Sequence, residues 1–269
     1  MRPSITVAAC LVTLVLGVGA GFSAGRRSER QAQPAARPIE TDVVSDTARE
    51  MEPFRAKYGP AHYSEQQEEW FIRDYFQDRR GGTFVDVGAN HYRNSSKTYY
   101  LESVLGWSGI AIEPQREFAE GYAQHRPRTK FLPFFVSDVS NQTAQLYVLK
   151  RLSVVSSSNR QFVEGFGKPD EVRDVPTITL NDLLKAEGIS RPDFVSMDIE
   201  LHEPQALKGF DIDRFRPSLV CIEGLPPVRQ EILNYFAEHR YVLVGQYVWV
   251  DLMNFYFAPL EAMTKVSQK

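Results

Sequence analysis

Two stretches of this chain place reactive side chains at spacings that chemistry can use. The first is Phe84-Val85-Asp86-Val87-Gly88-Ala89-Asn90, with Glu113 following 27 positions after Asp86 in Gly109-Ile110-Ala111-Ile112-Glu113-Pro114. It reads as an apolar strand, a small-residue turn, a helix, and a second apolar strand that ends on a carboxylate. A nucleotide-like ligand needs this arrangement. Gly88 and Ala89 let the backbone come close, and an acid at the end of the next parallel strand accepts both ribose hydroxyl protons. The dinucleotide fingerprint G-x-G-x-x-G is absent, since Ala89-Asn90-His91-Tyr92 follow Gly88. A nicotinamide or flavin enzyme is therefore the weaker reading. Asp86, Gly88 and Asn90 make instead the Asp-x-Gly-x-Asn form of sites for S-adenosylmethionine, although alone that form is also an ordinary strand-to-helix turn.

The second stretch is Asp198-Ile199-Glu200-Leu201-His202-Glu203, at the end of the apolar run Phe194-Val195-Ser196-Met197. If the strand persists, Asp198 and Glu200 share a face, and their repulsion raises one pKa toward useful base strength. His202 is a proton acceptor near neutral pH. Asp198, Glu200 and His202 are therefore the catalytic candidates. Glu203 stands before Pro204 at a helix start, where an acid complements the helix dipole. Asp198 and Glu200 are also hard oxygen ligands that a divalent cation can bridge, but no metal is assigned. Ser137-Asp138 ends another apolar run at the same sheet edge, where an acceptor meets an adenine amino group; Asp138 is equally a turn cap. The hydroxyl-rich segment Leu152 to Asn159 reads as a substrate-facing loop or as a surface linker.

These residues need elements to hold them. Trp70, Phe71, Tyr75 and Phe76 recur at helical spacing, which predicts a helix over 64–78 whose aromatic stripe packs on the sheet. Strands are expected at 83–87, 109–113, 130–136, 143–149, 172–178, 193–198, 218–223, 241–247 and 251–258. Helical patterns over 95–105, 115–125, 179–187, 203–209 and 226–239 separate most of them. Near-continuous apolar strands alternating with helices indicate an α/β fold with a parallel sheet covered on both faces. The final strand pair, closely linked, should be antiparallel.

Composition narrows the class. A chain of 269 residues, 43% hydrophobic, buries one sizeable core. A net charge of −3 and a pI near 6.0 give no support to the basic face that a nucleic-acid partner requires, so none is expected. The two cysteines, Cys10 and Cys221, support neither a disulfide framework nor a zinc cluster. Ile5 to Gly25 is an uncharged run of about 21 residues, long enough at ~1.5 Å per residue to cross a ~30 Å bilayer core. Arg26, Arg27 and Arg30 beyond it, with only Arg2 before it, favour a single-pass anchor with the catalytic domain in the cytosol. A cleaved signal and export is the alternative. The organisation read is a transmembrane anchor or signal segment over 1–25, a flexible linker over 26–60, and one domain over 61–269.

In order along the chain, these motifs resemble the FkbM family of methyltransferases. The resemblance runs from about Phe84 to Pro259. It rests on Val85 to Asn90, Ile112-Glu113-Pro114, Val136-Ser137-Asp138, Val175 to Leu184 and Asp193 to Glu200. It implies a seven-stranded Rossmann-like class I methyltransferase sheet and S-adenosylmethionine as donor. It also implies methylation of a hydroxyl oxygen on a sugar, glycan or secondary metabolite. Asp86, Gly88, Asn90 and Glu113 match the family's cofactor positions, and Ser137 and Asp138 fall where the adenine is expected. One departure stands out. The family commonly has Asp-x-Glu-Gly at the fourth strand, and here Leu201 replaces that glycine. A branched side chain there narrows the acceptor pocket or restricts the backbone, which keeps open a non-catalytic binding module of the same fold at a membrane.

Overall fold

The computed structural model describes residues 39–264, with side chains from 48 to 263. The strands run, in chain order, Thr83–Val87 (β1), Ser108–Ile112 (β2), Thr129–Leu132 (β3), Phe135–Val136 (β4), Thr143–Val148 (β5), Glu171–Ile178 (β6), Phe194–Met197 (β7), Leu219–Glu223 (β8), Tyr241–Leu243 (β9) and Asn254–Pro259 (β10). The α-helices are Ile39–Tyr58 (α1), Glu68–Phe76 (α2), Tyr99–Ser103 (α3), Ala119–His125 (α4), Arg160–Glu164 (α5), Leu180–Ala186 (α6), Glu203–Lys208 (α7), Ile212–Phe215 (α8), Arg229–Glu238 (α9) and Leu260–Thr264 (α10).

Seven strands form one sheet in the order β3-β2-β1-β7-β8-β10-β9. Every pairing is parallel except those of β10, which is antiparallel to both neighbours. This is a mostly parallel α/β sheet with one reversed strand, the arrangement that the resemblance implies. β1 is central and its strand order switches there, with β2 on one side and β7 on the other. In open α/β sheets that crevice, outside the carboxyl ends, is where ligands bind.

Alternation along the strands divides the core in two. Val85, Val87, Val195, Met197, Val220 and Ile222 point to one face and pack with Leu183, Leu184, Leu207, Phe210 and Phe236. Phe84, Phe194, Leu219 and Cys221 point to the other and pack with Phe71, Ile72, Phe76, Leu101 and Trp107. The aromatic stripe of α2 is thus buried against the sheet, as its spacing requires; Tyr75 is half-buried and donates to the carbonyl of Ser218 at 2.8 Å.

The expected strand over 130–136 divides. Pro133 has no N–H to give the ladder, so β3 stops at Leu132, and β4 pairs instead with β6. The segments read as strands at 143–149 and 172–178 also leave the main sheet. They pair with each other over six register positions and, with β4, form a separate three-stranded sheet. The helix expected over 95–105 shortens to α3, because residues 92–98 are held in a loop by tertiary contacts described below.

The linker expected over 26–60 includes a 20-residue helix, α1, whose Phe54 ring meets Phe71 edge-on at 5.0 Å. The segment 1–25, read as an anchor or signal, lies outside the described residues, and so does Cys10. Among the described residues no helix is long and apolar enough to cross a membrane.

One buried cation fixes the loop between β1 and α3. Arg126, fully buried, pairs with Glu102 and donates to the carbonyls of Tyr92 (2.8 Å) and Thr98 (3.3 Å) and to the Thr98 hydroxyl (3.1 Å). Replacing it by Met strands the buried Glu102 carboxylate. Arg126→Met is expected to cost about 3 kcal/mol, measured by urea unfolding of the full chain; a loss under about 1 kcal/mol would show the network to be dispensable.

Candidate active site

A cleft open to solvent lies at the carboxyl ends of β1, β2 and β7. The turn after β1 forms its centre. Gly88 adopts φ +81, and a Cβ on it would lie 1.8 Å from the carbonyl oxygen of Asp198. Both the left-handed backbone and the contact across to the end of β7 demand glycine. Asn90, at φ +45, follows in a conformation that asparagine tolerates better than most residues.

Glu113, at the end of β2, is buried beside this turn. Its two oxygens accept from the backbone N–H of Asn90 (3.2 Å) and of Gln115 (2.9 Å). Burial raises its pKa to about 7, against the pull of those two N–H groups. Each oxygen keeps acceptor capacity beyond the bond shown, so the carboxylate can still take ribose hydroxyls. Asp86 faces the same cleft and accepts from the Thr98 hydroxyl at 2.7 Å. Burial pushes its pKa up, opposed by that hydrogen bond. Asp86, Gly88, Asn90 and Glu113 are therefore brought together.

Ser137 and Asp138 are not placed on the cleft wall. Ser137 is buried and shares hydrogen bonds with Asp138 (3.1 Å) and with His202 Nε2 (3.1 Å), while Asp138 is exposed. Of that segment it is Phe134, Phe135 and Val136 that line the cleft, giving it an apolar stretch of wall.

Asp198 and Glu200 both line the cleft; His202 does not. Its ring nitrogens are engaged by the hydroxyls of Ser137 and Ser158 (3.2 Å), its ring packs on Phe135, and burial lowers its pKa to about 4. At neutral pH this imidazole is an uncharged strut and a weak base. Glu200 is half-buried, and its carboxylate has no hydrogen-bond partner among the described residues. Burial, then repulsion by Asp198 and Glu203, holds its pKa well above the usual range. Glu200 and Leu201 adopt φ +56 and +74. Leu201 thus keeps the left-handed backbone that glycine adopts freely, at a cost of about 1 kcal/mol, and the strain sits where the carboxylate is aimed.

The segment Leu152 to Asn159 belongs to the cleft. Ser153, Val154 and Ser156 line it, and the Ser157 hydroxyl donates to the Glu200 carbonyl at 2.6 Å.

Sequence reasoning overlooked Lys97, Gln115 and Glu223. Lys97 is 6% exposed and gives an ion pair to Asp198 at 2.7 Å. Burial alone would lower its pKa, but Asp198, Cys221 and Glu68 hold it well above the ordinary value. Gln115 reaches the Ser153 carbonyl with Nε2 (3.3 Å), while its buried Oε1 has no partner among the described residues. Glu223 ends β8 as Glu113 ends β2, a signal that was legible in Val220-Cys221-Ile222-Glu223.

The profile described as a methyltransferase FkbM domain matches residues 86–243, more than half of the chain. The chain belongs to the FkbM methyltransferase family. With that membership come methyl transfer as the activity and S-adenosylmethionine as the cofactor. The Gly88 turn, Phe134, Phe135, Val136 and the Glu113 carboxylate line the cleft, and all lie within the matched residues. No curated protein matches the chain. Among solved structures it is similar to a TehB-like S-adenosylmethionine-dependent methyltransferase from Corynebacterium glutamicum, at 11% identity and a TM-score of 0.42, covering 82% of this chain and 99% of that one. It is also similar to 1,6-didemethyltoxoflavin-N1-methyltransferase from Burkholderia thailandensis, solved with its substrate and S-adenosylhomocysteine (12% identity, TM-score 0.37, 85% and 91% covered). Neither likeness is close enough to carry an assignment; the family match does.

Two outcomes follow for Glu113. If Glu113 receives the ribose hydroxyls, they donate to its ionised carboxylate, and affinity for S-adenosylmethionine should fall as pH drops through about 7. The fall should be roughly tenfold between pH 8 and pH 6, one proton being taken up. Calorimetry at both values, alongside Glu113→Gln to subtract the ligand's own titration, checks this; parallel profiles would refute it. At pH 8 the same variant should bind more weakly by about 1.5–3 kcal/mol, the worth of hydrogen bonds to a charged group.

Proposed function

We propose that this enzyme transfers the methyl group to a hydroxyl oxygen on a small-molecule or glycan acceptor. One observation carries the reading: a single cleft holds the Gly88 turn with Glu113 and, across Gly88, the carboxylates Asp198 and Glu200. S-adenosylmethionine, when bound, supplies a methyl group already activated by its sulfonium. The chain's own residues then have two tasks, to align the acceptor oxygen and to receive its proton. Asp198 is occupied by the Lys97 ammonium, which leaves Glu200 as the freer carboxylate to take the hydroxyl proton. His202, neutral and held by Ser137 and Ser158, positions the loop over the acceptor rather than moving a proton. The acidic surroundings disfavour a phosphorylated or carboxylated acceptor and suit a neutral polyol. On the strength of the uncharged run Ile5 to Gly25 and the arginines after it, we place this activity at the cytosolic face of a membrane.

The test supplies the full chain with donor carrying a ¹³C methyl group and a neutral glycan or envelope extract. The expected product shows the label at an O-methyl chemical shift by NMR. Glu200→Gln should lower kcat by at least about 100-fold, the usual contribution of a general base, while cofactor affinity holds. Label found on nitrogen, or a variant as fast as the parent, would defeat the proposal.

A further inference from the structure

We infer that Asp198, Glu200 and Glu223 form a binding site for a hard divalent cation at the acceptor end of the cleft. One oxygen from each carboxylate lies within 4.8 Å of the others. Adjacent strand ends build the cluster: Ser196 pairs with Cys221 in the β7–β8 register, so continuing each strand by two residues sets Asp198 beside Glu223. A cluster of acids alone would be unremarkable at a sheet edge. Two further observations point to a ligand. Glu223 is 5% exposed, and its Oε2 has no hydrogen-bond partner among the described residues. The Ser196 hydroxyl, 1% exposed and also without a partner, faces the cleft two residues before Asp198 and hence on the same side of β7. Buried polar atoms are nearly always satisfied, and an ion or its water shell is a standard reason when protein does not do it.

The ligand chemistry selects the ion. Three carboxylates with a hydroxyl nearby are hard oxygen donors, the set that Mg²⁺, Mn²⁺ or Ca²⁺ takes. Zinc would want nitrogen or sulfur, and the imidazole of His202, two residues after Glu200, has both nitrogens engaged. The Lys97 ammonium pairs directly with Asp198 Oδ2 and reaches Glu200 and Glu223 only through its longer-range field, so neither glutamate has an ion-pair partner among the described residues. Asp198 is one-third exposed on the cleft side, which gives an ion a way in. A cation held by these groups keeps open positions for an acceptor oxygen and acidifies its hydroxyl. The proton then leaves to a carboxylate oxygen that the cation does not hold. This inference rests on the acceptor reading above, and it narrows the acceptor to molecules that offer oxygen ligands.

Full-length protein freed of metal with EDTA would be titrated with Mn²⁺ and followed by electron paramagnetic resonance. One bound Mn²⁺, displaced by Mg²⁺, is expected. Glu223→Gln should weaken it by roughly tenfold or more, and Glu113→Gln should leave it unchanged. If Glu223→Gln does not fold by circular dichroism, Glu200→Gln, at the more exposed ligand, serves in its place. Absence of bound Mn²⁺, or equal affinity in the folded variant, would overturn the cation site. S-adenosylmethionine binding to the EDTA-treated protein is read in parallel. Its retention beside a missing Mn²⁺ signal discards the ion alone, and its loss discards the methyltransferase site beneath it.

Discussion

The ammonium of Lys97 is the charge on which the acidic floor of this cleft depends. It is buried, and burial alone would favour the neutral amine. Asp198 at 2.7 Å, with Cys221 and Glu68 behind it, keeps it protonated. In return it relieves carboxylates that would otherwise face one another in a poorly solvated space. Removing one member of such a pair leaves the other uncompensated, a larger penalty than the pair's net worth. Lys97 is 101 residues from Asp198 in the chain, so this attraction also ties the loop after β1 to the end of β7. Arg126 and Thr98 hold the same loop from its other side, and Thr98 in turn holds Asp86. Helix propensity thus yields to tertiary electrostatics between residues 92 and 98, and α3 starts late.

Strand parity decides which polar groups meet. On β1, β7 and β8, one alternate set is wholly apolar and packs with α6, α7 and α9. The other set begins apolar with Phe84, Phe194 and Leu219 and turns polar toward the carboxyl edge, with Asp86, Ser196 and, at the end of β8, Glu223. Parallel strands in register bring these polar positions side by side, Asp86 opposite Ser196 and Ser196 opposite Cys221. The site is therefore the place where one face of the sheet stops being core. Gly88 permits this by removing the one side chain that would collide with Asp198.

The excursion from β4 to β6 supplies the wall that the sheet lacks. Its small sheet carries Phe135, Val136 and Leu146 to the cleft, and the segment after β5 brings Ser153, Val154 and Ser156. Two hydroxyl contacts, Ser157 to the Glu200 carbonyl and Ser158 to His202, fasten it to the end of β7. His202 acts there as a joint between two parts of the cleft wall, which explains why it is kept neutral and fully engaged.

Much of this was legible in the residues themselves. Apolar runs, a small-residue turn and strand-end acids gave the parallel sheet, the reversed last strand and the grouping of Asp86, Gly88, Asn90 and Glu113, because each depends on local pattern and on a rule for where ligands sit in such sheets. Pro133 was a visible signal for the break in the third strand, and Glu223 repeated the pattern of Glu113. Other features had no local signature. That Ser137 and Asp138 do not line the cleft, that His202 is satisfied at both nitrogens, and that β5 and β6 pair with each other follow from contacts across 23 to 65 residues of chain. The pairing of Lys97 with Asp198 is of the same kind. A linear pattern fixes which face a side chain takes, but only packing in three dimensions sets what stands opposite it, how much water remains, and hence which carboxylate stays free to react.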